Sequence, residues 1–265
     1  MRSIHPHSRR LSLDSPVACG STPNGKEEAH VSAMYRKLTL VAVCASLVVV
    51  ASSAGAGSRS AIDPANFVAE ITNQWFPLKP GTTYFYEGIK DGKPTHETLT
   101  VTHEKHVIAG VRATVIHDRL YFAGYLGERT IDYYAQDKQG NVWYLGETTA
   151  ELDKNGHVTS REGTWLTGVN GAKPGIYIPG DPKVGQSARQ EYYKGHAEDH
   201  FRVVSLVTSV SVPYLTSHKA LLTKEWTPLE PGVLDHKYYV RGIGNVKEVS
   251  VSGPKELNAL VSVRR

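Results

Sequence analysis

The sequence predicts a mainly β fold, an antiparallel curved sheet or half-barrel of about a dozen short strands with one short N-terminal helix. Three observations predict it. Apolar and polar residues alternate with period two from Thr98 almost to the C-terminus. Gly, Asn and Asp cluster between those runs, where hairpin turns need φ > 0. Only one segment opens like a helix.

That segment is Asp63-Pro64, with Asp as N-cap and Pro at the first helical position, where its missing N–H costs nothing. Phe67 and Ile71, four apart, would share its buried face. Thr98–His103 then places Leu99, Val101 and His103 on one face, and Val111–Tyr121 follows the turn at Ala109-Gly110. Arg129–Tyr134 and Val142–Glu147 flank a turn-rich stretch. Glu151-Leu152 and Val158-Thr159 flank a second, with Asn155-Gly156 in it. Residues 173–185 hold three prolines and three glycines and read as a loop. Arg189–Lys194, Phe201–Val212, Ala220–Trp226, His236–Arg241, Val246–Val251 and Leu257–Val263 complete the strands.

Ahead of this domain lies a leader. Met34-Tyr35-Arg36-Lys37, the apolar run Leu38–Val50 and the small residues through Ala56 have the parts of a secretory signal peptide. The run is shorter than the ~20 residues of a membrane span. Residues 1–33 fit no signal peptide and read as a mis-called N-terminal extension, so the organisation is 1–33 extension, 34–56 signal, 57–62 linker and 63–265 one β-rich domain. The expected location is periplasmic or extracellular, with no stable membrane span after cleavage.

Export changes the charge and thiol inventory. The leader holds six of the 30 Lys+Arg and three of the 26 Asp+Glu, leaving 24 against 23 in the domain. Near neutrality without a Lys/Arg block gives no footprint for nucleic acid. Cys19 and Cys44 both fall in the leader, so the domain has no disulfide, thiolate nucleophile or cysteine ligand.

The densest collection of reactive side chains is Arg189–Arg202, R-Q-E-Y-Y-K-G-H-A-E-D-H-F-R. On a strand His196, Glu198 and His200 would share one face. Imidazole and carboxylate suit zinc or iron, with His236, His218 or Glu191 as a further ligand from elsewhere. At ~3.3 Å per residue, His196 and His200 stand roughly 13 Å apart, too far to share one ion. The same stretch offers Glu191, Glu198 and Asp199 as candidate general acid and base. Ion pairing and a solvated turn are the plainer uses, and no cofactor is expected.

Tyrosines supply a second candidate. Tyr192, Tyr193, Tyr238, Tyr239 and Trp226 could line a groove for an apolar or cell-envelope ligand, being apolar with a polar tip. Sheet propensity alone also accounts for such aromatics. Trp75-Phe76-Pro77-Leu78-Lys79-Pro80-Gly81 is echoed by Trp226-Thr227-Pro228-Leu229-Glu230-Pro231-Gly232. The echo reads as two proline-fixed turns leading into edge strands, in preference to a duplicated half.

Pro174-Gly175-Ile176, Val184-Gly185-Gln186, Arg189-Gln190-Glu191-Tyr192, Ala197-Glu198-Asp199, Glu225 to Pro231 and Lys237-Tyr238-Tyr239 to Gly244 resemble an uncharacterised family of secreted bacterial β-proteins. The order of hairpins is also similar, in pattern only, to periplasmic lipoprotein carriers. That second resemblance implies a curved sheet wrapped round an acyl chain. Together these readings point to an exported non-catalytic binding module that holds a lipid or other envelope ligand on an aromatic-rich sheet face. The alternatives are a metal-dependent or carboxylate-based hydrolase centred on Glu191–His200, and a structural or interaction domain.

Overall fold

The computed structural model describes residues 62–265; the segments expected to be an extension, a signal peptide and a linker lie, up to residue 61, outside the described residues. The described chain is mainly β and antiparallel throughout. Its strands are β1 (Phe67–Val68), β2 (Thr83–Lys90), β3 (Lys93–Ile108), β4 (Val111–Phe122), β5 (Tyr125–Asp137), β6 (Val142–Leu152), β7 (Val158–Ser160) and β8 (Trp165–Leu166). Then come β9 (Lys173–Ile178), β10 (Ser187–Arg189), β11 (Glu191–Tyr192), β12 (His200–Val212), β13 (Leu215–Trp226), β14 (Leu234–Val240), β15 (Gly244–Ser252) and β16 (Glu256–Arg264).

Neighbours run β10-β12-β13-β14-β15-β16-β2-β3-β4-β5-β6-β9-β11. Both ends of this path fall on one six-residue strap, residues 187–192. β10 pairs with β12 on one side, and β11 pairs with β9 on the other. The sheet therefore curls into a nearly closed barrel, interrupted only where the strap changes partner at Gln190.

The strands are longer than the short ones expected. β3 runs for 16 residues and β5 and β12 for 13 each. Length is tolerated because bulges bend them. The β3–β4 register shifts between Val101 and Lys105, and a bulge adds local twist. That shift also takes His103 off the face it would share with Leu99 and Val101, leaving it exposed beside Gly81.

The expected helix shrinks to one 3-10 turn, Pro64–Asn66. Asp63 caps it as anticipated, its side chain accepting from the Ala65 N–H at 3.0 Å. Phe67 and Ile71 do not share a helical face. Phe67 enters β1 opposite Asp137 and packs edge-on to Trp143, so tertiary pairing overrides the local start signal. The 173–185 loop is also corrected, since it contains β9. Ile178, fully buried opposite Val142, supplies the apolar anchor that outweighs Pro174.

Burial alternates along each wall. Phe201, Val203, Leu221, Tyr239, Val246, Leu260, Tyr86, Tyr84, Val101 and Ile116 face inward. A smaller cluster of Ile108, Val111, Ala113, Ala135 and Leu145 lies outside, covered by Ile62, Phe67 and Leu166. The two copies of the aromatic–proline echo part company. Trp75, Phe76 and Leu78 are buried in the barrel, whereas Leu229 is exposed in the β13–β14 connection. Neither copy leads into an edge strand: β2 and β14 each have neighbours on both sides.

Asn73 holds the buried copy in place. Its Nδ2 donates to the carbonyls of Gly140 and Pro179 at 2.8 and 3.1 Å. Its Oδ1 accepts from the N–H groups of Trp75 and Phe76 at 2.8 and 3.2 Å. Residues 73–78 thus form a plug. Its ring Phe76 sits among Tyr177 at 4.8 Å, Tyr134 at 5.4 Å and Tyr239 at 6.5 Å.

Candidate functional site

Register builds a polar rung across the inside of the wall. Thr223 of β13, Lys237 of β14, Glu248 of β15, Asn258 of β16 and Gly88 of β2 are successive cross-strand partners. Directly paired residues share a face. Gly88 contributes no side chain, and a Cβ there would strike the Leu257 carbonyl oxygen. The gap lets Asn258 Nδ2 donate to Glu97 Oε2 of β3. A second rung runs from Val101 through Ile116 and Asp132 to Glu147.

Between these rungs and the plug lies a cavity of about 150 Å³. Glu97, Asp118, Asp132, Glu248, Lys237 and Asn258 supply its polar wall, and Tyr84, Tyr86, Tyr134 and Tyr177 its aromatic one. It is large enough for several waters. Asp132 is buried, and Glu97, Asp118 and Glu248 are half-buried around this space.

Its electrostatics are one-sided. Lys237 Nζ lies 3.1 Å from Glu225 Oε2 and 3.6 Å from Glu248 Oε1. Glu225 also accepts from Thr223 Oγ1 at 2.8 Å, Gln190 Nε2 at 3.2 Å and the Tyr239 hydroxyl at 3.3 Å. Four donors thus converge on this one buried carboxylate. The other acids lack such support. Glu97 and Asp118 hydrogen-bond to each other, which requires a proton on one of them. Burial, followed by the charge of Glu97, pushes the Asp118 carboxyl well above its usual range.

Asp132 accepts from the Tyr144 hydroxyl at 2.6 Å. Burial nonetheless raises it to about 7, against the lowering effect of that bond. Glu248 is likewise raised to about 7 by burial, with Lys237 opposing. The cavity wall thus sets four carboxyl groups around one lysine.

The candidate residues of the 189–202 stretch are dispersed. Residues 193–198 turn instead of extending, because Gly195 takes φ 79° and Tyr193 bridges Ala197. That breaks the alternation that would align His196, Glu198 and His200. His196 is exposed, 2.7 Å from Glu162 Oε1 and stacked on Tyr193. Glu198 accepts from the Gly195 N–H at 2.8 Å, closing the turn. His200 lies flat on Trp226 and its Nε2 accepts from Arg189 Nε at 3.3 Å. His236 is on β14 opposite Lys224 and Val249, its pKa lowered first by burial. His218 is hydrogen-bonded to Ser209 near the β12–β13 turn. Among the described residues no group of three or more His, Cys, Asp or Glu side chains is arranged to hold a metal ion.

Of the three candidate acids only Glu191 is buried. Burial, then the charge of Asp199, raises it to about 8. The Trp165 indole lies against it, yet neither Trp165 Nε1 nor Glu191 Oε2 completes a hydrogen bond. Asp199 is exposed.

The five aromatic candidates also separate. Tyr239 is fully buried in the barrel, and its neighbour Tyr238 points the other way, beneath Lys247. Tyr192 lies under Arg189 at 4.2 Å, Tyr193 packs on His196 and Trp226 on His200.

Glu97, Asp118, Asp132 and Glu248 escaped the sequence reading. One signal could have found them. Glu97 precedes Leu99 and Val101 by the strand period, which places a charge on an inward face.

No family model and no curated protein matches the chain. Two solved structures are similar in part. One is a protein of Bacteroides fragilis assigned as exported and described as having a YmcC-like fold. It shows 15% identity and a TM-score of 0.43 over 73% of this chain and 100% of that one. The other is a protein of Parabacteroides distasonis assigned as a lipoprotein, with 10% identity and a TM-score of 0.41 over 72% of this chain and 99% of that one. Among the described residues no helix is long and apolar enough to cross a membrane.

Proposed function

We propose that the protein is an exported, non-catalytic binding module. Its ligand is a small polar molecule bearing an ammonium group, held inside the barrel among Glu97, Asp118, Asp132 and the surrounding tyrosine hydroxyls. The observation that carries this reading is the imbalance of the cavity wall: four carboxyls line it against one lysine, and that lysine is already paired. An ammonium group would stand in for the protons these acids otherwise retain. A small ligand is favoured over an acyl chain because about 150 Å³ falls below the ~300–1,000 Å³ of sites for drug-sized molecules. Export rests on the leader sequence.

Native mass spectrometry of the secreted protein, with elemental analysis, tests the reading. The expected result is a bound small amine, or a thermal shift with a panel of amines and amino sugars, abolished in a Glu97→Gln/Asp118→Asn variant. A bound phospholipid mass would restore the acyl-chain reading. One equivalent of zinc or iron lost in His196→Ala or His200→Ala would establish the hydrolase. A ligand-free mass with no thermal shift would leave an interaction domain.

A further inference from the structure

The two ends of the sheet meet on a strap with little backbone holding it. β10 has three residues and β11 two, whereas the β3–β4 hairpin in the middle of the sheet has strands of 16 and 12. Pro174, opposite Glu191 in β9, has no N–H to donate to the ladder. At Gln190 the strap changes partner. Its N–H donates to the Asp199 carbonyl at 2.7 Å, and its side-chain amide reaches inward to Glu225 Oε2 and the Tyr177 carbonyl.

The approach on the other side is very close. A Cβ on Gly175 would run into the Arg189 carbonyl oxygen and lie 2.6 Å from the Gln190 backbone. Gly175 has no positive φ, so its lack of a side chain serves that approach alone. Glu191 on the strap faces the charges of Asp199, Asp132 and Lys237. Across β6, Glu147 faces Asp132, Glu191, Glu128 and Asp199. Carboxyl groups therefore gather at the barrel's thinnest pairing.

We propose that the barrel opens along this seam, the 187–192 strap parting from β9 to give access to the interior. Local opening is cheapest where a cooperative unit has the fewest backbone bonds. The plug end offers no such route, since Asn73 ties it to three other segments. The inference depends on the barrel's connectivity and holds whatever the ligand.

Hydrogen exchange of the full chain, read by mass spectrometry, tests it. Segments 173–178 and 187–192 should exchange at least about tenfold faster than β3 and β4. Gln190→Ala, which removes the inward amide, should raise the seam rate further and leave β3–β4 unchanged. Gly175→Ala should do the same more strongly, and Gln190→Ala covers the case in which that variant does not fold. A single common rate for the seam and β3–β4, or a seam rate unmoved by Gln190→Ala, would overturn the proposal.

Discussion

Lys237 and Glu225 form an ion pair at 3.1 Å inside the barrel, and Lys237 also reaches Glu248. Their strands, β14 and β13, are adjacent, and the pair sits beside Tyr239 and Gln190. Removing one member of a buried pair leaves the other uncompensated, at about 3–5 kcal/mol. Lys237→Met should therefore lower stability by that order in urea denaturation. Adding Glu225→Gln should recover part of the loss. A single variant as stable as the wild type would show that water already screens Glu225.

The raised carboxyls make stability fall as the medium becomes alkaline. Asp132 and Glu248 stand at about 7 and Glu191 at about 8, against about 4 in an unfolded chain. Between those values the native state binds more protons than the unfolded one, so stability drops with rising pH. The contribution is complete below about pH 4 and gone above about pH 8. Melting temperature should decline from pH 5 to pH 8.5 and then level off with respect to these groups.

Asp132→Asn isolates one of them. The amide oxygen can still accept from the Tyr144 hydroxyl, and the group cannot ionise. Near pH 5 the variant should match the wild type within about 1 kcal/mol. At pH 8.5 it should be the more stable of the two. A parallel pH profile would place the titration elsewhere.

Asn73 should matter more than its size suggests. Asn73→Ala removes four side-chain hydrogen bonds that hold the plug. Leaving buried backbone groups unpaired costs roughly 1–3 kcal/mol each, so a loss on the order of 3 kcal/mol is expected. Tryptophan emission should shift to the red as Trp75 gains water.

His196→Ala and His200→Ala should be quiet by comparison. Both side chains sit outside the barrel, one exposed and one against Trp226. Substitutions away from a core cost about 0.5 kcal/mol or less, with a little more at His200 for the lost stacking. A large drop in chemical stability would point to a structural role for the 189–202 turn.

The β class and the hairpin turns were legible because both are local. Alternation marks a half-buried strand, and Ala109-Gly110 and Asn155-Gly156 carry turns where the sequence places them. Asp63-Pro64 shows the limit of local signals. The cap forms, but Phe67 gains more from β5 and Trp143 than from a helix. The density of ionisable groups at 189–202 drew attention to the outside of the seam. Periodicity cannot reveal that Glu97 and Asp118, in different strands, line one cavity.

By itself the sequence determined the antiparallel β architecture and the turn positions, because those depend on residues within a few positions of one another. Closure on a single strap, the interior carboxyl rungs and the plugging of the barrel by residues 73–78 were decided by tertiary structure. Register brings Lys237, Glu248, Asn258 and Glu97 together across β14, β15, β16 and β3, although up to 161 positions separate neighbours in that row. Burial then sets the charge state of the acids, and burial belongs to the folded barrel, not to any one strand.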